Sequence, residues 1–400
     1  MENAVRRLAV ACLIAVAVLA LAACGSSSSN SSSTGSTSTA GGESGSANAN
    51  LKELETEVAN AAESTYTDPP ATSPKPEPGK RITALVYGLE APSGATFAKA
   101  VEKAGTAIGW NVDVVDGQFS TNKYLEAVRK AIAEKVDGII VYVIDCPSFQ
   151  AAAEEAKKAE IPIVYVEGYD CSDLKSGAPE TGYSIGEYNL LAKTERGSLK
   201  HYETAAGELQ AAAAAVANEG NMKSIVLNET DANVTLDLTR GFLNVSEACG
   251  TCQVEKEIDF VGGDLGPKLT EKVEQALLSA PEANTIFGNY DDPVISGAAP
   301  AVRASGRSGS VYVTGAAGYE PMMELIRNGE ADMTVAISVD WYGFSALDRL
   351  NRLFHGETKA PDTGIGLELV DQEDNLPPKG QAWSPSIDFE SLYEKAWGVG

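Results

Sequence analysis

The sequence predicts an α/β protein of two Rossmann-like lobes, each a parallel sheet flanked by helices, and two observations carry that reading. Between residues 81 and 338, short apolar runs rich in Val and Ile alternate with helical stretches, which is the pattern of parallel strands covered on both faces. Roughly ten such strand–helix units exceed the usual size of one open sheet, so two sheets are expected.

The elements follow in order. "RITALVY" (81–87) reads as a strand, and the helix after it places Phe97, Val101, Ala104 and Ile108 on one stripe. "WNVDVVD" (110–116), a helix over 121–134 and "GIIVYVI" (138–144) repeat the unit, and a helix over 148–159 with "IPIVYVE" (161–167) completes a fourth strand. A polar stretch then intervenes over 170–202. The alternation resumes with a helix over 203–219, "KSIVLNE" (223–229), a helix through Gly241 and Phe242, "QVEKEIDF" (253–260), and a helix from Pro267. "NTIFGN" (284–289), a helix from Pro293, "SVYVTG" (310–315), a helix over 319–327 and "DMTVAIS" (332–338) close the series.

The N-terminus is of a different kind. Arg6 and Arg7 precede the apolar run 8–23, which stops at Cys24, the order of a secretory signal and too short for a spanning helix. A plain signal peptide cut near Ala23 is the simpler reading. Leu21-Ala22-Ala23-Cys24 also resembles the bacterial lipobox, in which the cysteine is acylated and becomes the first mature residue. Two acyl chains anchor stably where one is marginal, and the Ser/Gly/Thr tract that follows suits a flexible tether. Leu51, Leu54, Val58 and Ala61 mark a short amphipathic helix over 51–65, and five prolines between Pro69 and Pro78 place the start of the folded body at about Arg81.

A formal charge of −25 over 400 residues argues against nucleic acid, because binding there rests on cations that neutralise phosphates. Cys12 falls in the signal and Cys24 is the expected anchor, leaving Cys146, Cys171, Cys249 and Cys252. An even remainder in an exported chain reads as disulfides. Cys146 and Cys171 each follow neighbouring strands, within reach of a bridge. "CGTC" lies in a turn between a helix and a strand, not at the start of a helix as a redox motif would. His201 and His355 have no metal-ligand company, so neither a metal nor a cofactor is expected.

The segments "ITALVYGLEAPSG" through "IPIVYVE", then "IFGNYDDPVISGAAPAV", "VYVTGAAGYEPMMELIRNGE" and "MTVAISVDWYGFSALDRLNRLFHG", together resemble the type I periplasmic-binding-protein family near its ribose-binding branch. The resemblance covers most of 81–371. It implies two lobes joined by three crossings near Glu203, Ile337 and Gly366, closing on a small ligand and handing it to an ABC permease. The lobes would be 81–203 with 338–366 and 204–337 with 367–400, preceded by a signal (1–23) and a tether and linker (24–80). A monomer anchored through lipid to the outer face of the cell membrane is expected.

At the family's sugar-contact positions the chain departs from the family pattern. Pro92-Ser93-Gly94 replaces Pro followed by two aromatics, Glu167-Gly168 an Asp-Arg pair, Ala316-Ala317 a Phe-Asp pair, Ile337 a Gln and Tyr290 an Asn. Near Leu236 and Leu238 the family's arginine is absent, whereas Phe260 and Asp291 match. The ligand residues expected at strand ends are therefore Glu90, Asp145, Glu167, Tyr169, Phe260, Tyr290 and Asp291, with Asp291 alternatively capping the next helix. Core packing is the better reading of Trp341 and Tyr342. Besides a transporter's solute receptor for a sugar-like or aromatic solute, two functions stay open: a sensory ectodomain, and a hydrolase using paired carboxylates such as Glu90 and Glu167.

Overall fold

The computed structural model describes residues 43–191 and 195–400. The expected signal segment, the acylation site Cys24 and the first part of the tether lie outside the described residues. A first set of elements comprises β1 (Arg81–Val86), α2 (Pro92–Ala107), β2 (Asn111–Asp116), α3 (Thr121–Glu134), β3 (Gly138–Tyr142), α4 (Gln150–Lys158), β4 (Ile163–Val166), α5 (Cys171–Leu174) and β5 (Tyr183–Ser184), preceded by α1 (Glu43–Ala61). Its five strands form a parallel sheet in the order β2-β1-β3-β4-β5. β3 reads "GIIVY" and is buried at every position, as a central strand covered on two faces must be.

After a small hairpin of β6 (Tyr188–Asn189) and β7 (Arg196–Gly197), the chain enters α6 (Leu199–Ala217) and a second sheet. That sheet takes β8 (Lys223–Glu229), β9 (Gln253–Phe260), β10 (Thr285–Gly288), β11 (Tyr312–Ala317), β12 (Met333–Ala336) and β13 (Glu368–Asp371), in the order β13-β12-β11-β10-β8-β9. Only β13 runs antiparallel, against β12. α7 (Asn233–Ala248), α8 (Pro267–Ser279), α9 (Asp291–Pro293), a π-helical turn over Val294–Ala298, α10 (Ala299–Ala304) and α11 (Glu320–Asn328) connect these strands.

The alanine-rich helix α6 is buried on almost every side, which suits a helix packed all round rather than on one stripe. Its crossing with α7 is close because each helix supplies a glycine. A Cβ on Gly207 would stand 1.9 Å from the Leu238 carbonyl oxygen, and one on Gly241 would stand 2.0 Å from that of Thr204.

α12 (Val339–Phe354) follows β12 yet packs on α2 and β4, and the chain then returns to β13. The chain thus passes from one sheet to the other at α6, after β12 and before β13, and further segments add contacts. α13 (Phe389–Trp397), assigned from sequence to the second lobe, packs instead on α12. There Trp397 Nε1 donates to Asp348 at 2.9 Å, and on α2 Lys103 meets Glu390 at 2.6 Å. Aromatic residues on α12 and α13 provide the area: Phe344 stacks on Trp397 and Trp341 on Phe389.

The folded body also begins well before Arg81. α1 packs on α6, and the proline-rich segment after it threads across the passages. Thr65 N donates to Leu367 O and Thr67 N to Gly364 O, both at 3.0 Å, while Ser338 N donates to the Tyr66 hydroxyl at 2.7 Å. Further on, Trp110 Nε1 donates to Glu77 O at 2.8 Å. Prolines forbid helix and inner strand, but they leave extended backbone whose remaining amides and carbonyls can pair with loops. For that reason the composition marked a linker where the structure has a fitted strap.

Candidate ligand cleft

The carboxyl ends of the strands, where open parallel sheets bind ligands, face a narrow chamber of about 50 Å³. Tyr87 from the end of β1, Tyr142 and Val143 from β3 and Glu167 after β4 line it from the first sheet. Tyr290, Ala316, Ala317 and Tyr319 line it from the second. Glu203 on α6, Val234, Thr235 and Leu238 on α7, Ile337, and Val339 and Tyr342 on α12 complete the wall with Ser93. The close α6–α7 crossing is what lets Glu203 and Leu238 reach one chamber. Val143, Glu167 and Ala317 have positive φ of 55°, 50° and 136°, conformations that side-chain-bearing residues avoid and that gather at functional sites.

The two acids in the wall share one environment. Glu203 is 1% exposed, and neither of its carboxyl oxygens has a hydrogen-bond partner of good geometry; Glu167 Oε1 lacks one as well. Burial pushes Glu167 up to about 7, against the Tyr342 hydroxyl and Glu203, which favour its charge. Burial and the Glu167 charge raise Glu203 well above the ordinary carboxylate range. Two acids so placed titrate as a pair.

Around this chamber Asp145, Asp237 and one oxygen of Asp292 are bonded across the cleft. Ser93 Oγ donates to Asp292 Oδ2 at 2.7 Å. Tyr169 Oη donates to Asp237 Oδ2 at 2.6 Å, and Arg240 pairs with the same carboxylate. Asn233 donates to Asp145 Oδ2 from its backbone at 2.9 Å and its side chain at 2.8 Å, while Tyr169 N donates to Asp145 Oδ1 at 2.8 Å. A disulfide between Cys146 and Cys171 ties together the loops that carry Asp145 and Tyr169. A second joins Cys249 to Cys252 at the end of α7.

A second depression of about 290 Å³ lies by Ile161, Pro162 and Gly182. These residues precede β4 and β5, at the strand ends opposite to those that bind ligands. Among the described residues no group of three or more acids, histidines or cysteines is placed to hold a metal, and no helix is long and apolar enough to cross a membrane.

The periplasmic binding protein domain family matches residues 86–358, more than half of the chain. This chain belongs to that family. A galactofuranose-binding protein of Escherichia coli is 24% identical over 254 residues, 61% of this chain and 73% of the relative. A Caulobacter myo-inositol-binding protein, solved with myo-inositol, superposes with a TM-score of 0.64 at 17% identity, covering 76% of this chain and 97% of that one. A periplasmic solute-binding protein from Actinobacillus succinogenes, solved with D-allose, gives 0.63 at 19% identity, covering 74% and 98%. These structures share its α/β fold of parallel sheets flanked by helices.

Set on the family framework, two of the seven expected ligand residues and several positions where the residue has changed reach the chamber. Glu167, Tyr290, Ala316, Ala317, Ile337 and Leu238 all line it. Of the other expected ligand residues, Asp145 lines an adjoining cavity with Glu229 and Asp231, and Tyr169 is occupied with Asp237. Glu90 is exposed in the turn after β1, away from the wall. Phe260 is buried at the end of β9 outside the wall. Asp291 neither lines the wall nor caps its own helix: its carboxylate accepts from Gly318 N at 2.6 Å, Tyr319 N at 3.1 Å and the Thr334 hydroxyl at 2.8 Å. Tyr342, read as core, lines the chamber, while Trp341 is core as expected. Sequence reasoning missed Tyr87, Tyr142, Tyr319 and the place of Glu203 in the chamber wall. Tyr87 and Tyr142 end their strands, and that shared position was the available signal.

Proposed function

We propose that the protein is an extracytoplasmic solute-binding lipoprotein, held at the outer face of the membrane by acylated Cys24, that captures a small solute between two hinged lobes and delivers it to an ABC importer. The first lobe takes 81–203 with 338–366 and the last helix, and the second takes 204–337 and β13. The observation that carries this reading is the tyrosine-lined chamber at the strand ends, bridged by hydrogen bonds between helices and loops on its two sides. Hinged lobes sequester a ligand by this kind of closure. Relatives described as binding galactofuranose, myo-inositol and D-allose support a solute of sugar size, and five tyrosines in the wall favour one with an apolar or stacking face.

Purified full-length protein, denatured to release what it carries, tests this reading by mass spectrometry. One small molecule at near-equimolar amount is expected, and rebinding it should compact the protein in solution scattering. Protein that retains nothing and compacts with no solute would contradict the proposal. For the anchor, Cys24→Ala should move the protein from the membrane fraction to the soluble one.

A further inference from the structure

We propose that the solute carries a positive charge, an ammonium or amidinium group seated against Glu167 and Glu203 and enclosed by tyrosine rings. The inference rests on the solute-binding reading and specifies its ligand.

Three observations converge on it. The wall holds two carboxyls, five tyrosines, Ser93, Thr235 and apolar side chains, with no Lys, Arg, His, Asn or Gln. A neutral sugar asks a site for donors as well as acceptors, and this wall offers ionisable acceptors and hydroxyls but no N–H side chain. Next, Glu203 is buried with both oxygens, and Glu167 with Oε1, lacking a donor of good geometry apart from each other, while the neighbouring Asp145 and Asp237 have both oxygens bonded by the protein itself. A buried acid left without a partner is expensive, and a ligand cation supplies both the charge and the N–H donors it lacks. Finally, the charges acting most strongly on the wall tyrosines come from further acids. Asp292 and Glu229 act on Tyr87 and Tyr290, Glu167 and Asp292 on Tyr142, and Glu167 and Glu203 on Tyr342. Ring faces and surrounding carboxylates attract the same sign of ligand.

A proton signature follows. Without ligand, burial keeps the Glu167–Glu203 pair partly protonated. The groups facing it are Tyr66 before β1, Tyr169 after β4, Tyr202 on α6, Asp237 on α7, Tyr142 on β3, Tyr188 on β6 and Tyr342 on α12, and the nearby cation Arg240 is already paired with Asp237. A bound ammonium favours the ionised pair and displaces a proton to solvent. Binding therefore strengthens as pH rises through the range in which the pair ionises.

The test is the charge of the compound released from the full-length protein, followed by calorimetry of that compound at pH 7 in two buffers of different ionisation enthalpy. A cation at pH 7 that releases protons on binding is expected. Its affinity should fall roughly 10- to 150-fold in Glu203→Gln, the loss of one charge-assisted contact. Glu203→Gln keeps the side chain's shape, and an unchanged melting profile checks its fold. A neutral sugar or polyol that binds without proton release and equally well in Glu203→Gln overturns the inference and leaves the solute-binding reading standing. If nothing is released, and neither spermidine, choline and glucosamine nor glucose, ribose and myo-inositol raise the melting temperature, both readings fall.

Discussion

The carboxylates at the rim of the cleft and those inside its chamber are the same chemical groups under opposite arrangements. At the rim, Asp145 and Asp237, and Asp292 through Oδ2, accept hydrogen bonds from helices and loops on the other side of the cleft. In the chamber, Glu203 and one oxygen of Glu167 accept none. The rim bonds hold only while the two sides are together, so they stabilise closure. The chamber acids have only each other and the Tyr342 hydroxyl beside them, which leaves Glu203 and Glu167 Oε1 without a donor of good geometry and open to a partner from outside. An acid's role here depends on who supplies its hydrogen bonds, a property of the fold that residue type does not reveal.

The contrast can be broken most severely where the backbone creates it. Gly207→Val places atoms against the Leu238 carbonyl, 1.9 Å from where a Cβ would sit, and should separate α6 from α7. A destabilisation of about 3 kcal/mol, the upper end of the usual overpacking cost, is expected in urea unfolding, together with loss of ligand binding. Next, Asp145→Ala strands the amides of Asn233 and Tyr169 and should cost about 2 kcal/mol. Glu203→Gln in ligand-free protein should cost nothing or stabilise it, because it removes a buried acid that lacks a donor of good geometry. Equal destabilisation by the two variants would erase the distinction between rim and chamber.

pH acts on both sets alike. Glu167 and Asp292 are raised to about 7 and Asp291 to about 6, burial being the main cause in each. A carboxyl with a raised folded-state pKa binds its proton more tightly folded than unfolded. Its contribution is complete below the unfolded value near pH 4 and is lost as pH rises through 6 to 7. Ligand-free protein should therefore melt higher at pH 5 than at pH 8, by an amount on the order of 1 to 2 kcal/mol of stability, and a cationic ligand should flatten that slope. Smallest of all, Tyr87→Phe removes the hydroxyl that meets Ser93 at 2.6 Å and Asp292 at 3.4 Å. It should cost about 1 kcal/mol and open the cleft slightly in solution scattering.

The strand–helix alternation made both sheets legible in the sequence, since buried parallel strands such as "GIIVY" have little compositional alternative. Several family positions carried over even where the residue had changed, because Ala316, Ile337 and Leu238 keep their backbone places on the wall. Three things were not legible. The strap over 64–80 has no periodicity, because its partners are loop backbones hundreds of residues away. α13 is amphipathic in sequence, but nothing in its pattern says which lobe it covers. The partnering of acids was hidden as well: Asp145 and Glu167 both follow a strand, and only the structure brings Asn233 to the first and leaves the second facing the chamber.

A crystal structure of the protein with the small molecule it carries through purification tests the account most directly. The account predicts that molecule in the tyrosine chamber, with a nitrogen within hydrogen-bond reach of Glu203 or Glu167, and the Ser93–Asp292 and Asp145–Asn233 bonds in place around it. A molecule bound elsewhere, or one in the chamber that leaves both acids without a partner, would contradict it.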